Sequence, residues 1–134
     1  MKARILFFSL MALAFVSCQE LEDINGSYEV VTVDGQDMTG EGITINIDMS
    51  EKGNSISGNN SCNQYSGNFK NPEGNEVDMG PMMGTKIYCV EKAQIEKKYM
   101  TQLALVKKAE LKKNYLRLMD EDGNVLIKAK RVDE

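Results

Sequence analysis

Three cysteines, nine methionines and no histidine bound the chemistry open to this 134-residue chain. The missing histidine removes the commonest general base and the commonest neutral metal ligand. Ser-His-Asp and Cys-His catalysis and His-based zinc sites are therefore excluded within the chain. Carboxylates or a Lys or Tyr base remain, but no spacing singles out a pair, so no catalytic residue, metal ligand or cofactor is expected. Met79, Met82 and Met83 put three thioethers close together, the soft ligand type that suits Cu(I). Methionine is also a common filler of irregular cores, and no longer Met repeat supports a copper site. Asp120-x-Asp122-Gly123-Asn124 opens like a calcium-binding loop. It lies between two alternating segments and lacks the distal Glu, so a hairpin turn is the expectation.

The first cysteine has a context of its own. Lys2 and Arg4 precede an apolar run from Ile5 to Val16 that only Ser9 interrupts. As a helix this run spans roughly 18 Å, too short for a bilayer core of about 30 Å, so it reads as the h-region of an export signal. Phe15-Val16-Ser17-Cys18 resembles a lipobox, with Phe15 in place of the usual Leu. On this reading residues 1–17 are a lipoprotein signal peptide and Cys18 carries the lipid that holds the protein on a membrane. Residues 18–24 form an acidic tether, in which Gln19, Glu20, Glu22 and Asp23 resemble a surface-export signal. The plainer alternative is a solvated spacer kept extended by like charges. The expected location is the outer membrane, on its surface or its periplasmic face.

Without residues 1–17 the chain carries 14 Lys plus Arg against 20 Asp plus Glu. That balance argues against nucleic acid as a partner, since such binding neutralises phosphates with Lys and Arg. The charge is uneven: residues 18–78 hold 2 basic and 12 acidic side chains, and residues 79–134 hold 12 and 8. Either the halves complement each other in one fold, or the second presents a basic face.

The elements that must position these residues are mostly strands. Tyr28–Val33 is β-branched and ends at the turn dipeptide Asp34-Gly35. Ile43–Met49 alternates apolar and polar with the period of a half-buried strand. Lys52-Gly53-Asn54 turns the chain into Ser55–Gly58, and Tyr65–Lys70 closes at the turn cluster Asn71-Pro72-Glu73-Gly74-Asn75. Glu76–Met79 reads as a short extended piece. Ile95, Tyr99, Leu103 and Val106 then recur on one helical face within residues 91–108, with Glu91 near the start and Lys107 and Lys108 near the end, as the helix dipole favours. Tyr115–Met119, a turn at Asp120–Gly123, and Val125, Ile127 and Ala129 alternating with Leu126, Lys128 and Lys130 make a closing hairpin. The pattern predicts one mainly β domain over residues 25–134, an antiparallel sheet closed or nearly closed on itself with one helix.

Three segments resemble the META domain, or HslJ-like, family. They are Ile56-Ser57-Gly58-Asn59-Asn60-Ser61-Cys62-Asn63-Gln64-Tyr65-Ser66-Gly67, then Met79-Gly80-Pro81-Met82-Met83-Gly84-Thr85-Lys86-Ile87-Tyr88-Cys89, then Leu116–Asp120 with Gly123, Leu126 and Ile127. Ser61 stands where the family usually has glycine, Tyr28 where it has tryptophan and Gly84 where it has serine. The resemblance implies a small antiparallel β-barrel-like domain of the lipocalin-like topology class, an envelope location and links to stress or antibiotic tolerance. It implies no active site. Cys62 and Cys89 sit in the two strongest motifs and, after export, in an oxidising compartment. They could be bridged, closing a loop of 28 residues, or stay as two buried thiols; a redox pair would lack both Cys-x-x-Cys and an activating histidine. A bridge would contribute roughly 3.6 kcal/mol on the chain-entropy model. The expected function is that of a non-enzymatic cell-envelope lipoprotein with an unidentified envelope protein as partner. The alternative is a carrier of a small ligand in the barrel mouth.

Overall fold

The computed structural model describes Leu21 and residues 23–132. The predicted signal peptide, Cys18, Gln19, Glu20 and Glu22 lie outside the described residues.

Ten strands and one helix make the domain. β1 (Gly26–Val33) turns at Asp34-Gly35 into the short β2 (Gln36–Asp37); β3 (Thr44–Ser50), β4 (Gly53–Asn59) and β5 (Gln64–Lys70) follow as a meander. β6 (Asp78–Met79) and β7 (Met83–Gly84) both pair with β5, as two halves of one interrupted strand. After α1 (Ala93–Ala104), the strands β8 (Lys108–Lys112), β9 (Tyr115–Met119) and β10 (Val125–Arg131) form a second meander. Every pairing is antiparallel. β10 pairs with β1 and β1 with β3, which joins the two meanders. The ring is completed between β6 and β8 by the Glu76–Lys108 bridge and by bonds from Val77 N–H to Lys107 O and from Ala109 N–H to Asn75 O. The chain is therefore mainly β with one helix, a curled antiparallel sheet of the expected barrel-like class.

Alternation places the core. Ile45 and Ile47 of β3, Ile56 of β4, Tyr65 and Phe69 of β5, Leu116 and Leu118 of β9, and Ile127 and Ala129 of β10 all turn inward and are buried. Their burial is the main favourable term holding the sheet curled. The helix lays Tyr99 and Leu103 onto this core and packs on β1 and β10.

Several expectations need correction. The helix is shorter than residues 91–108: it ends at Ala104, with Leu105 as its C-cap, and Lys108 already begins β8. Glu91 precedes the helix, the first-turn acid is Glu96, and no basic residue lies in the last turn. The helical period persists through Val106 because that residue is buried too, although it lies past the helix, in the turn where its N–H bonds back to Leu103 O. In β10 the alternation fails at Leu126: a register shift between Val125 and Ile127 buries Leu126 and Ile127 together and leaves Val125 exposed. The domain also begins before residue 25. Leu21 packs against the core and donates its N–H to Gly74 O, and Ile24 is buried. Apolar side chains at 21 and 24 gain more by burial than by extension into water, so Leu21 and Ile24 belong to the packed domain and not to a free tether. Asp23 is exposed and accepts bonds from Asn25.

One close approach lets the sheet curl. At Gly58 a Cβ would run into the Thr44 carbonyl of the neighbouring strand. Gly58→Ala is therefore expected to cost at least about 2 kcal/mol, read as a lower urea midpoint with an unchanged slope. A midpoint equal to that of the native protein would show that β3 and β4 can separate at this point without cost.

Candidate functional site

The first family segment turns between β4 and β5 through Asn60–Asn63. Asn60 Oδ1 accepts from the N–H groups of Cys62 (3.2 Å) and Asn63 (2.7 Å), an Asx-type turn. Ser61 takes φ 85°, a left-handed conformation that suits glycine. The glycine usual in the family thus has a backbone reason. Here Ser61 also buries a hydroxyl that has no partner among the described residues.

Asn63 is 3% exposed and uses its whole carboxamide. Its Oδ1 accepts from Ile87 N–H (2.7 Å) and from the Thr85 hydroxyl (2.9 Å). Its Nδ2 donates to Ile87 O (2.9 Å) and to Glu96 Oε2 (3.0 Å) in the first turn of α1. Cys62 and Cys89 are bridged, with Cα atoms 5.9 Å apart. Of the two readings left open for these cysteines, the structure takes the disulfide. A bond from Thr85 N–H to Gln64 O extends the attachment (3.0 Å). One covalent bond and one buried amide thus pin residues 85–89 to the β4–β5 turn. Outside the pin, Ile87, Tyr88 and Val90 are 65%, 80% and 76% exposed.

The β3–β4 ladder breaks just below. Asn59 N–H turns to Thr44 Oγ1 (3.0 Å), and the Thr44 carbonyl instead accepts from the Tyr65 hydroxyl (2.7 Å). The Tyr65 and Tyr99 hydroxyls are 2.6 Å apart. Since Tyr65 gives its proton to Thr44, Tyr99 donates to Tyr65. Burial pushes both phenols above the ordinary tyrosine range, and their mutual repulsion adds to the shift at Tyr99.

The remaining sequence-derived residues are dispersed. Met82 packs inward, its sulfur 2.5 Å from where a Cβ on Gly67 would stand, whereas Met83 is 73% exposed on the outer face. Met82, just before β7, and Met83, in it, thus point to opposite faces. Asp120 caps its own hairpin: its carboxylate accepts from Asp122 N–H, Asn124 N–H and Asn124 Nδ2, and these bonds, led by Asn124, hold its carboxyl below the usual range. Gly84 lies so close to β5 that a Cβ would meet Gln64 O at 2.7 Å, which leaves no room for the serine usual there. Tyr28 fills its place in the core and donates to Ile24 O (2.7 Å). Asn60, Asn63 and the Tyr65–Tyr99 pair were not singled out from sequence. Two asparagines flanking Cys62 at a spacing of three, and a tyrosine on each apolar face, were the available signals.

A curled antiparallel ring with one helix, its β4–β5 turn clamped to the segment before that helix, defines a small β-barrel-like class of domain. The META domain model matches residues 19–133, and the chain belongs to that family. It is also similar to a structure described as the NMR structure of the protein from Burkholderia xenovorans, at 21% identity and a TM-score of 0.62, over 82% of this chain and 83% of that one. At that identity the likeness concerns the fold. Among curated proteins none matches.

Two predictions follow from this geometry. Ser61→Gly removes a left-handed serine and its unpartnered hydroxyl and should stabilise by about 0.5–1 kcal/mol; a lower melting temperature would show that the hydroxyl is needed. The contribution of the Tyr65–Tyr99 pair to stability should be level up to about pH 10, where unfolded tyrosines titrate, and fall above it, because the unfolded chain then loses the two phenolic protons first. A Tyr65→Phe, Tyr99→Phe double variant should lose less stability between pH 9 and 11 in urea titrations. An equal slope in both proteins would assign the alkaline loss to other groups.

Proposed function

We propose that this is a non-enzymatic cell-envelope lipoprotein, anchored in the outer membrane by lipid on Cys18, that acts by presenting residues 86–90 to a protein partner in the envelope. The observation that carries the reading is the pinned loop: three large apolar side chains, Ile87, Tyr88 and Val90, are held in water by a disulfide and a four-bonded buried amide. Exposed apolar residues on an ordered frame are the usual mark of a contact surface, with little ordering entropy left to lose on binding. Placement supports it as well. Ile43, just before β3, bridges Asn60 at the β4–β5 turn, and Ile47 within β3 lies beside Gly26, so the loop and the N-terminal entry are about 13 Å apart along the strand, toward its opposite ends. Only Gln19 and Glu20 separate Cys18 from the packed Leu21, a reach of about 10 Å. A lipid there would hold one end of the barrel close to the bilayer and aim the loop away from it.

The absence of histidine favours a non-enzymatic role, and so does the engagement of the buried Asn60, Asn63, Tyr65 and Tyr99 side chains in internal bonds. A stress-tolerance role rests on the family resemblance. A carrier of small ligands finds no support inside the ring, where Tyr28, Tyr99, Ile45, Ile56, Leu116 and Ile127 are fully buried against one another. The export-signal reading of Gln19, Glu20, Glu22 and Asp23 remains part of the proposal, with a sorting receptor meeting a segment shorter than the sequence implies.

Cys18→Ala should release the protein from the membrane fraction; unchanged partition without labelled fatty acid at Cys18 would remove the anchor. In intact cells, a photo-crosslinking side chain in place of Tyr88 should give protein adducts. The same side chain in place of Lys52, at the tether end, should not. Equal adducts at both positions, or none at 88, would count against the loop as the contact.

A further inference from the structure

On the outer face of β3–β4–β5, which carries Asp48 and Lys70 at its lower end, the stretch toward the β4–β5 turn is without charge. An open groove of about 630 Å³ runs over it, and none of its eleven lining residues is charged, in a chain of which 27% is charged. The side chains are in cross-strand register: Asn46 opposite Ser57, Ser57 opposite Ser66, Ser66 opposite Met83, with Gln64 and Thr85 at the upper rim. A second groove of about 300 Å³ shares Ser66 and Met83 and adds Asn68 and Pro81, again without a charge. Together they follow β5 from Gln64 to Asn68, a track of about 13 Å.

Three of these side chains have capacity to spare. The Ser57 and Ser66 hydroxyls and the Gln64 carboxamide have no hydrogen-bond partner among the described residues. Each can donate and accept. Met83, 73% exposed, adds an apolar surface beside them. The β5 backbone, by contrast, is engaged on its groove side: β6 and β7 pair with it, Gly80 N–H takes Asn68 O, and Thr85 N–H takes Gln64 O. A peptide could not add here as a further strand.

We propose that this face binds a neutral glycan chain. A sugar hydroxyl both donates and accepts, so it complements hydroxyls and carboxamides in either direction, and the C–H face of a sugar ring suits the Met83 side chain. A phosphate, carboxylate or ammonium ligand would find no opposite charge in the lining. An open track along a strand suits a linear chain better than a single sugar, which is better served by a concave pocket. The site is separate from the loop at residues 86–90 and does not depend on lipid anchoring.

The test is native affinity electrophoresis of the full-length protein in gels containing laminarin, dextran or galactomannan, with polygalacturonate as the anionic comparison. At least one neutral polysaccharide should retard the protein, and polygalacturonate should not. Ser66→Glu and, separately, Gln64→Glu should each weaken that retardation at least tenfold. Gln64→Glu is close to isosteric at an exposed position, and an unchanged melting temperature separates loss of binding from loss of fold. No retardation by any of the three neutral polymers, equal retardation by polygalacturonate, or retardation that survives both substitutions would overturn the proposal.

Discussion

The Tyr65 hydroxyl, held between the Thr44 carbonyl and the Tyr99 hydroxyl, is the contact on which the arrangement of this domain turns. It ties β5 to β3 across β4 and ties both to the helix. The geometry requires three concessions from the chain. Gly58 has no side chain, so β3 and β5 can approach over it. The β3–β4 ladder gives up one backbone bond, which Thr44 Oγ1 replaces. Two phenols are buried, at a desolvation cost that their mutual bond offsets only in part. In return the ring closes around one cluster of buried side chains.

The disulfide and Asn63 act on the same helix from its other end. A helix of twelve residues is marginal alone, and Lys92 at its N-cap makes no side-chain cap bond. Its first turn is held instead by Glu96, whose carboxylate accepts from Asn63. Residues 85–92, which lead into it, are fixed to the β4–β5 turn by the Cys62–Cys89 bridge. The bridge shortens the unfolded chain's freedom over the segment that contains β5, β6 and β7. Those are the strands at the weakest part of the ring, where β6 meets β8 through few backbone bonds. The staple acts at the opposite end of β5 from that junction, where β7 pairs with Tyr65 and Ser66.

Much of this was legible because alternation reports burial directly. Ile43–Met49 and Tyr115–Met119 read as strands and are strands, and the turn signals at Asp34-Gly35 and Asp120–Gly123 fall where hairpins form. What was not legible depended on the partner strand. Leu126 breaks its period because a bulge against β9 inserts one residue, and no local pattern announces a bulge. The helix reads as running on to residue 108 because Val106 keeps the helical spacing and is buried, although the helix stops at Ala104 and Lys108 opens β8. The candidate site was half legible: the cysteines stand out by type, whereas the role of Asn63 rests on Thr85, Ile87 and Glu96, up to 33 residues away.

The uneven charge along the chain becomes a division around the ring. Lys108, Lys112, Arg117, Lys128 and Lys130 lie on β8–β10, whereas most acidic residues belong to the half that holds β1 to β6. Among the described residues only Lys92–Glu41 joins the halves as an ion pair, and Arg117–Glu110 lies within the basic one. Pairwise neutralisation therefore does not explain the pattern. Within the acidic half, the grooves on the outer face of β3–β5 are nevertheless lined without charge, with Asp48 beside them on β3. Exposed sheet faces gain solubility from mixed charge, and a row of Ser, Asn and Gln forgoes that gain. A surface without charge there is better explained by what approaches it than by the stability of the strands beneath, since Ile45, Ile56 and Tyr65 on the opposite face already hold them in place.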